Sequence, residues 1–220
     1  MKKIFLGLLF ASQFIFAQDL SKNLKPFKAI TVTSAMDVEL IVADTYKIEV
    51  YGKEAEQLKI IENGKELKLT TSLGKKFNSK YKVKIYFKKG LRYLKLANWV
   101  KITSKEPIIE NFLELETINN VKVNLTLQTE DFIARLDLGS IITLKGVTES
   151  QKIEVINKSF YDAFNFKSKK AFIKAKSSQA AIYVSEFLDA EAKFKAEIIY
   201  MGNPFSINQT TFLGKINSKK

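Results

Sequence analysis

Apolar and polar residues alternate along most of this 220-residue chain. The stretch Leu113 to Gln128, LELETINNVKVNLTLQ, puts Leu113, Leu115, Val121, Val123 and Leu125 on one side and Glu, Lys and Asn on the other. Successive side chains of a strand point to opposite faces, so a period of two predicts half-buried strands. Such runs recur with β-branched and aromatic residues, and no long segment carries the 3.6-residue period of a helix. Ala190 to Ile199 can be drawn as a helix, but its alternating Ala192, Phe194 and Ala196 read better as a strand. The chain is therefore expected to be all-β.

A second, longer period lies over the first. Folding the chain back about every 20 residues from residue 91 onward aligns its apolar places into three ladders. The first is Leu94-Leu96, Leu113-Leu115, Ala134-Leu136, Ile153-Val155, Ile173-Ala175 and Ala192-Phe194. The second is Val100-Ile102, Val121-Val123, Ile142-Leu144, Tyr161-Ala163 and Ile182-Val184, and the third is Ile108, Leu127, Val147, Phe166 and Phe187. Three ladders sharing one period predict a right-handed parallel β-helix, a solenoid whose rungs bury like residues against one another. Ala97-Asn98, Asn119-Asn120, Gly139-Ser140, Asn157-Lys158 and Ser177-Ser178 fall between the first two ladders. Small residues, Gly and Asn suit the left-handed backbone of tight corners. An antiparallel sandwich is the competing arrangement. A leucine-rich repeat lacks its recurring Leu and Asn spacing here.

The N-terminal part keeps the alternation with different punctuation. Ile30-Val32, Val38-Leu40 and Ile48-Val50 form three short strands able to make one further rung, and Asn63-Gly64 between two apolar strands signals a hairpin. Residues 72–80 read as a polar loop and Tyr81 to Phe87 as a strand. Residues 53–90 are thus expected to form an irregular, hairpin-containing cap or insertion, because a solenoid must cover its open end. The chain begins MKKIFLGLLFASQFIFAQDL, which reads as an export signal over 1–17 with cleavage after Ala17. The apolar run is short for a bilayer span, which needs roughly 20 residues. Residues 18–26 then form an N-terminal segment and 27–220 a single domain without an integral membrane span, placed in the periplasm, at the cell surface or outside the cell.

Composition narrows the chemistry. The formal charge is +13, falling to +11 when residues 1–17 and their two lysines are removed. That balance favours anionic surfaces, yet Arg92 and Arg135 are the only arginines. Phosphate and base recognition favours the arginine fork, so no nucleic-acid partner is expected. There is no Cys and no His, so disulfides, Ser-His-Asp or Cys-His catalysis and the usual zinc sites are absent.

The segment AEIIYMGNP (Ala196 to Pro204) and the start FKAITVTSAMDVELIV resemble the family called putative auto-transporter adhesin, head GIN domain. Its members are exported bacterial β-helix proteins with a repeated Ser-Gly corner and a closing Gly-x-Tyr-x-Gly-x-Pro motif. Tyr200, Gly202, Asn203 and Pro204 match that motif, and Gly139 keeps a corner glycine. Asn98, Asn120, Lys158, Ser178 and Ala196 stand at or near the other corners. The resemblance implies an adhesin-like module. Residues 205–220 are too few for a translocating barrel, so auto-transport is not expected of this chain.

The remaining candidates for chemistry are carboxylates and aromatics. Glu130 and Asp131 are adjacent, and Asp137 stands two residues from Arg135, which predicts a surface ion pair. Trp99 with Tyr93 could make a sugar platform, although filling space at a corner is the plainer role. Asn124, Asn157 and Asn208 head glycosylation sequons of the kind that arise by chance in turn-rich chains. The expectation is an exported, non-catalytic β-helix binding or structural module, without cofactor or metal, that presents a polar lysine-rich face to a glycan or protein. The competing function is a carbohydrate-active enzyme, a glycosidase or lyase using surface carboxylates, which a tight acidic cluster in a groove would favour.

Overall fold

A computed structural model describes residues 20–52, 55–71 and 81–219. The export signal at 1–17 and the loop at 72–80 lie outside the described residues. The first strands are β1 (Leu20–Asn23), β2 (Ala29–Val32), β3 (Asp37–Val42), β4 (Lys47–Tyr51), β5 (Leu58–Asn63), β6 (Glu66–Thr71), β7 (Lys82–Phe87), β8 (Tyr93–Ala97) and β9 (Lys101–Ser104). Five long strands follow: β10 (Ile108–Ile118), β11 (Lys122–Asp137), β12 (Ile141–Ile156), β13 (Phe160–Lys176) and β14 (Gln179–Lys193). The chain closes with β15 (Glu197–Met201), β16 (Ser206–Phe212) and β17 (Lys215–Ser218), and the described residues contain no α-helix.

From β8 onward every pairing is parallel, and the chain is a β-solenoid of about 7 turns. One side, called A, stacks β6, β2, β8, the second halves of β10 to β14, and β16. The other, B, stacks β7, β3, β9, the first halves of β11 to β14, β15 and β17. A short third ladder runs through the middle of the long strands, from Ile108–Glu110 to Leu127–Thr129 and Gly146–Thr148.

The observed side A ladder is Leu94, Leu115, Ala134, Ile153, Ile173 and Ala190, all buried. Alternation had aligned Leu94 with Leu113 and Ile173 with Ala192, each two residues away. A slip of two leaves every side chain on its original face, so alternation has no power to detect it. The second ladder slips likewise: Val123 pairs Ile142, and Tyr161 pairs Ala180. In the third, Val147 faces outward at 46% exposure, and Gly146 takes the place between Leu127 and Phe166. Phe187 lies instead against Phe172 on the outer surface, their ring centroids 5.4 Å apart.

The turn from side A to side B is a pair of left-handed residues at Asn98-Trp99, Asn119-Asn120, Leu138-Gly139, Asn157-Lys158 and Phe194-Lys195. Two of the expected corners are shifted by one residue, to Asn98-Trp99 and Leu138-Gly139. This geometry aims the amides along the stack: Asn98 N–H donates to the Ile118 carbonyl (3.1 Å), Trp99 to Asn119 (3.0 Å) and Asn120 to Leu138 (2.9 Å). Side chains reinforce it, because Asn119 Nδ2 donates to Asn98 Oδ1 (2.8 Å) and Asn157 Nδ2 to Asp137 Oδ1 (2.7 Å). Inside the bend runs a buried column of Val100, Val121, Ser140, Ser159, Ser178 and Ala196, with three serines in succession. Ser140 Oγ donates to the Asp137 carbonyl (2.8 Å) and Ser178 Oγ to that of Val155 (2.6 Å).

At the N-terminal end chain order and spatial order part company. The pair β2/β3 lies between β6/β7 on one side and β8/β9 on the other. Antiparallel strands end the stack there: β5 on β6, β4 on β7, and β1 on β4. The predicted hairpin is β5–β6, but Asn63 pairs with Glu66, so the two-residue turn is Gly64-Lys65.

The corners and the third ladder generate a paired prediction. A Cβ added at Gly146 would overlap the Leu127 carbonyl oxygen, and its φ is +114°. Gly146→Ala should therefore destabilise the protein by about 2 kcal/mol or more in urea melts. Leu138, exposed with φ 50°, carries a left-handed penalty of about 1 kcal/mol that Leu138→Gly would relieve. That variant should be as stable as the parent or slightly more so.

Candidate functional site

The outward surface of side A carries a ladder of ionised residues, one per rung. Register places Lys95, Glu116, Arg135, Glu154, Lys174 and Glu191 in successive strands, with charge alternating at every step. Lys95 Nζ lies 3.1 Å from Glu116 and Lys174 3.6 Å from Glu191, and Arg135 pairs with Glu154. Asp137 is therefore not the partner of Arg135; its Oδ1 accepts from the Leu138 amide and Asn157, because the corner donors lie closer than the next outward residue. Burial alone would raise the Glu116 carboxyl, but hydrogen bonds from Tyr93 and Lys95 outweigh it and hold the group below its ordinary value. Glu191 is lowered first by its hydrogen bond from Lys193.

The adjacent column on the same surface runs Tyr93, Glu114, Ile133, Lys152, Phe172 and Asp189. Between the two columns lies a groove of about 700 Å³, lined in part by Ile133 and Phe172. Of its carboxylates, Glu116, Glu154 and Glu191 each meet a cation, whereas Glu114 and Asp189 stand at opposite ends of the adjacent column, four rungs apart. Among the described residues no group of three or more Asp or Glu could hold a metal ion.

The sequence candidates are scattered around this surface. Glu130 and Asp131 are both exposed where the third ladder passes into side A, whereas Asp137 lies at the far end of the same strand. Six residues of strand separate Asp131 from Asp137, about 20 Å, so they form no catalytic pair. Tyr93 and Trp99 are likewise apart: Tyr93 hydrogen-bonds Glu116 at the start of side A, and Trp99, 49% exposed, sits at the corner beyond its end. They make no common sugar platform. Asn124 is exposed on side B, Asn157 is engaged with Asp137, and Asn208 is exposed on β16.

A second groove, about 620 Å³, crosses side B beside Asp37, Glu39, Tyr51, Lys82, Lys84 and Lys101. Next to it is a cluster absent from the sequence reading. Glu49, 8% exposed, accepts from Lys47 Nζ (2.7 Å), Tyr51 OH (2.9 Å) and Tyr86 OH (2.9 Å). Burial would raise its carboxyl, but these donors hold it below the ordinary value; burial and the Glu49 charge push Tyr86 up to about 12. Alternation shows that Lys47, Glu49 and Tyr51 share a face, as do Lys82, Lys84 and Tyr86. Only the antiparallel pairing of β4 with β7 brings the two sets together.

A family model described as "Putative auto-transporter adhesin, head GIN domain" matches residues 26–204. Among solved structures, a putative adhesin from Bacteroides fragilis superposes with a TM-score of 0.82 at 14% identity, over 91% of this chain and 95% of that one. A putative adhesin from Parabacteroides merdae gives 0.72 at 19% identity, over 91% and 95%. A protein from Parabacteroides distasonis described as a putative lipid binding protein gives 0.68 at 20% identity, over 91% and 96%. These likenesses establish a shared fold. No curated protein matches the sequence.

The Glu49 cluster predicts acid sensitivity. A carboxyl with a lowered folded pKa contributes stability above its unfolded pKa and loses it as pH falls through the folded one. Glu49→Gln should cost about 1–2 kcal/mol at pH 7. The gap between variant and parent should close as chemical melts are repeated toward pH 3, and a gap that widened in acid would contradict the assignment.

Proposed function

The chain belongs to the family of the putative auto-transporter adhesin, head GIN domain, and from that premise we propose that it is an exported, adhesin-like, non-catalytic binding module. Side A is its contact surface and an extended protein segment its partner. The observation that carries this reading is the alternating ladder from Lys95 to Glu191 beside the apolar groove residues Ile133 and Phe172.

A ladder that already neutralises itself attracts no uniformly charged polymer strongly. It does complement a protein surface of mixed charge, where sign alternation fixes register and rejects wrong partners. Phe172, 38% exposed and braced by Phe187, supplies an aromatic anchor of the kind that concentrates binding energy. The rigid stack holds these groups at the spacing of adjacent strands, so little order is lost on binding. The competing enzyme reading requires unpaired carboxylates converging on one bond. The cation partners of Glu116, Glu154 and Glu191, the four-rung separation of Glu114 from Asp189 and the wide separation of Asp131 and Asp137 favour binding over hydrolysis.

The exported chain, immobilised, should bind at least one member of a panel of purified collagen, fibronectin and mucin. Ile133→Asp combined with Phe172→Asp should abolish that binding while the β circular dichroism signal persists. Binding indifferent to the double variant would remove side A from the mechanism. Release of reducing or unsaturated ends from polysaccharides would replace the binding module with an enzyme.

A further inference from the structure

Along one edge of the N-terminal end the sign of the charge does not alternate. The Lys28 and Ala29 amides donate to the Lys65 carbonyl (2.8 and 3.1 Å), and the Arg92 and Tyr93 amides donate to the Lys28 carbonyl (2.8 and 3.2 Å). Lys65, Lys28 and Arg92 therefore occupy the same corner in three successive rungs, about 4.8 Å apart along the stack. All three are exposed, and so are Lys88 and Lys89, which lead into Arg92. No ion pair to any of the five exists among the described residues. The neighbouring Glu62 is occupied by Lys22 Nζ and the Lys25 amide, both at 2.6 Å, and Glu110 by the Gly90 and Leu91 amides.

Two unit charges at this separation repel by about 1 kcal/mol even in water. On side A the same fold places opposite charges on successive rungs. On side B the same-sign run Lys101–Lys122 ends after two, at Ile141. Three cations in line, with two more beside them, form the longest same-sign run that these backbone registers define. We propose that this corner binds an acidic polysaccharide, its carboxylates or sulfates repeating along the axis of the solenoid.

The geometry selects this class over other polyanions. The column is one residue wide in the strand register, which suits a single extended chain. Four of its five cations are lysines, which act as point charges toward isolated anionic groups and lack the bidentate fork suited to phosphate. No exposed aromatic is interleaved for base stacking, and no exposed large apolar side chain stands in the column to enter a bilayer. The site borders the start of side A, three rungs or more from Phe172, and supplies a second attachment.

The test uses the exported chain with polygalacturonate, neutral dextran, phosphatidylglycerol vesicles and single-stranded DNA. Polygalacturonate should bind in a salt-sensitive manner and dextran should not. Lys28→Glu with Arg92→Glu should weaken binding at least about tenfold, whereas the charge-matched Lys158→Glu with Lys195→Glu at distant corners should change it by less than about twofold. The double variant Ile133→Asp, Phe172→Asp should leave it intact. Equal weakening by both charge-matched pairs would reduce the effect to net charge and overturn the proposal, as would tighter binding to vesicles or DNA than to polygalacturonate. Acetylation footprinting of the parent needs no variant: the polymer should protect Lys28, Lys65, Lys88 and Lys89 but not Lys158, and uniform reactivity would refute the site.

Discussion

The rungs from β8 onward depend on corners at which a left-handed backbone, at two consecutive residues in five of them and at Ser177 alone in another, aims amides at the next rung. Without that bend side A could not pass into side B within two residues, and the carbonyls of one corner would face no donor. L-residues resist this conformation, and Asn resists it least among those with side chains. Asn98, Asn119, Asn120 and Asn157 occupy it accordingly, and their side-chain amides add hydrogen bonds between rungs or along the corner itself. Trp99, Leu138 and Phe194 adopt it as well, held there by the backbone hydrogen bonds of the stack.

The same constraint dictates what lies on either side of the corner. Inside, the buried column passes from Val100 and Val121 to Ser140, Ser159 and Ser178, and Ser140 and Ser178 donate their hydroxyls to nearby carbonyls. Polar groups that enter the core mostly find partners there, the exception among the described residues being the buried Tyr81 hydroxyl. Gln151, wholly buried, accepts from Tyr161 and donates to Ser168, which donates to the Tyr183 carbonyl. Leaving any of these unpaired in a dry interior would cost about 1–3 kcal/mol. Outside, stacking at one strand spacing brings each ionised residue next to the equivalent residue of two neighbours. Opposite signs are stabilised and like signs repelled, so side A reads as a neutral, register-specific surface and the Lys65, Lys28, Arg92 edge as an unneutralised one. Both functional readings grow from the spacing of the stack.

Strand content, the solenoid period of the C-terminal part and the inward set Leu113, Leu115, Val121, Val123 and Leu125 were all legible in the chain, because each is a statement about residues a few or about twenty places apart. The two-residue slips in the ladders were not. Nor was the outward turn of Val147, since Gly146 beside it offers no apolar side chain to mark the bend. Of the charged ladder in the candidate site, sequence named only Arg135 and mispaired it, because its partner is one rung away in space and nineteen residues away in the chain.

The sequence by itself determined that this is a β protein with a repeating rung and without the residues for histidine or cysteine chemistry. Composition and periodicity are properties of the chain alone and survive any choice of register. The tertiary structure decided which rung meets which: the insertion of β2/β3 between β6/β7 and β8/β9, the gathering of Lys47, Tyr51 and Tyr86 around Glu49, and the stacking of Lys28 between Lys65 and Arg92. Those outcomes follow from corner hydrogen bonds and packing between distant segments, and a period of two is blind to them because a strand displaced by two residues presents the same face.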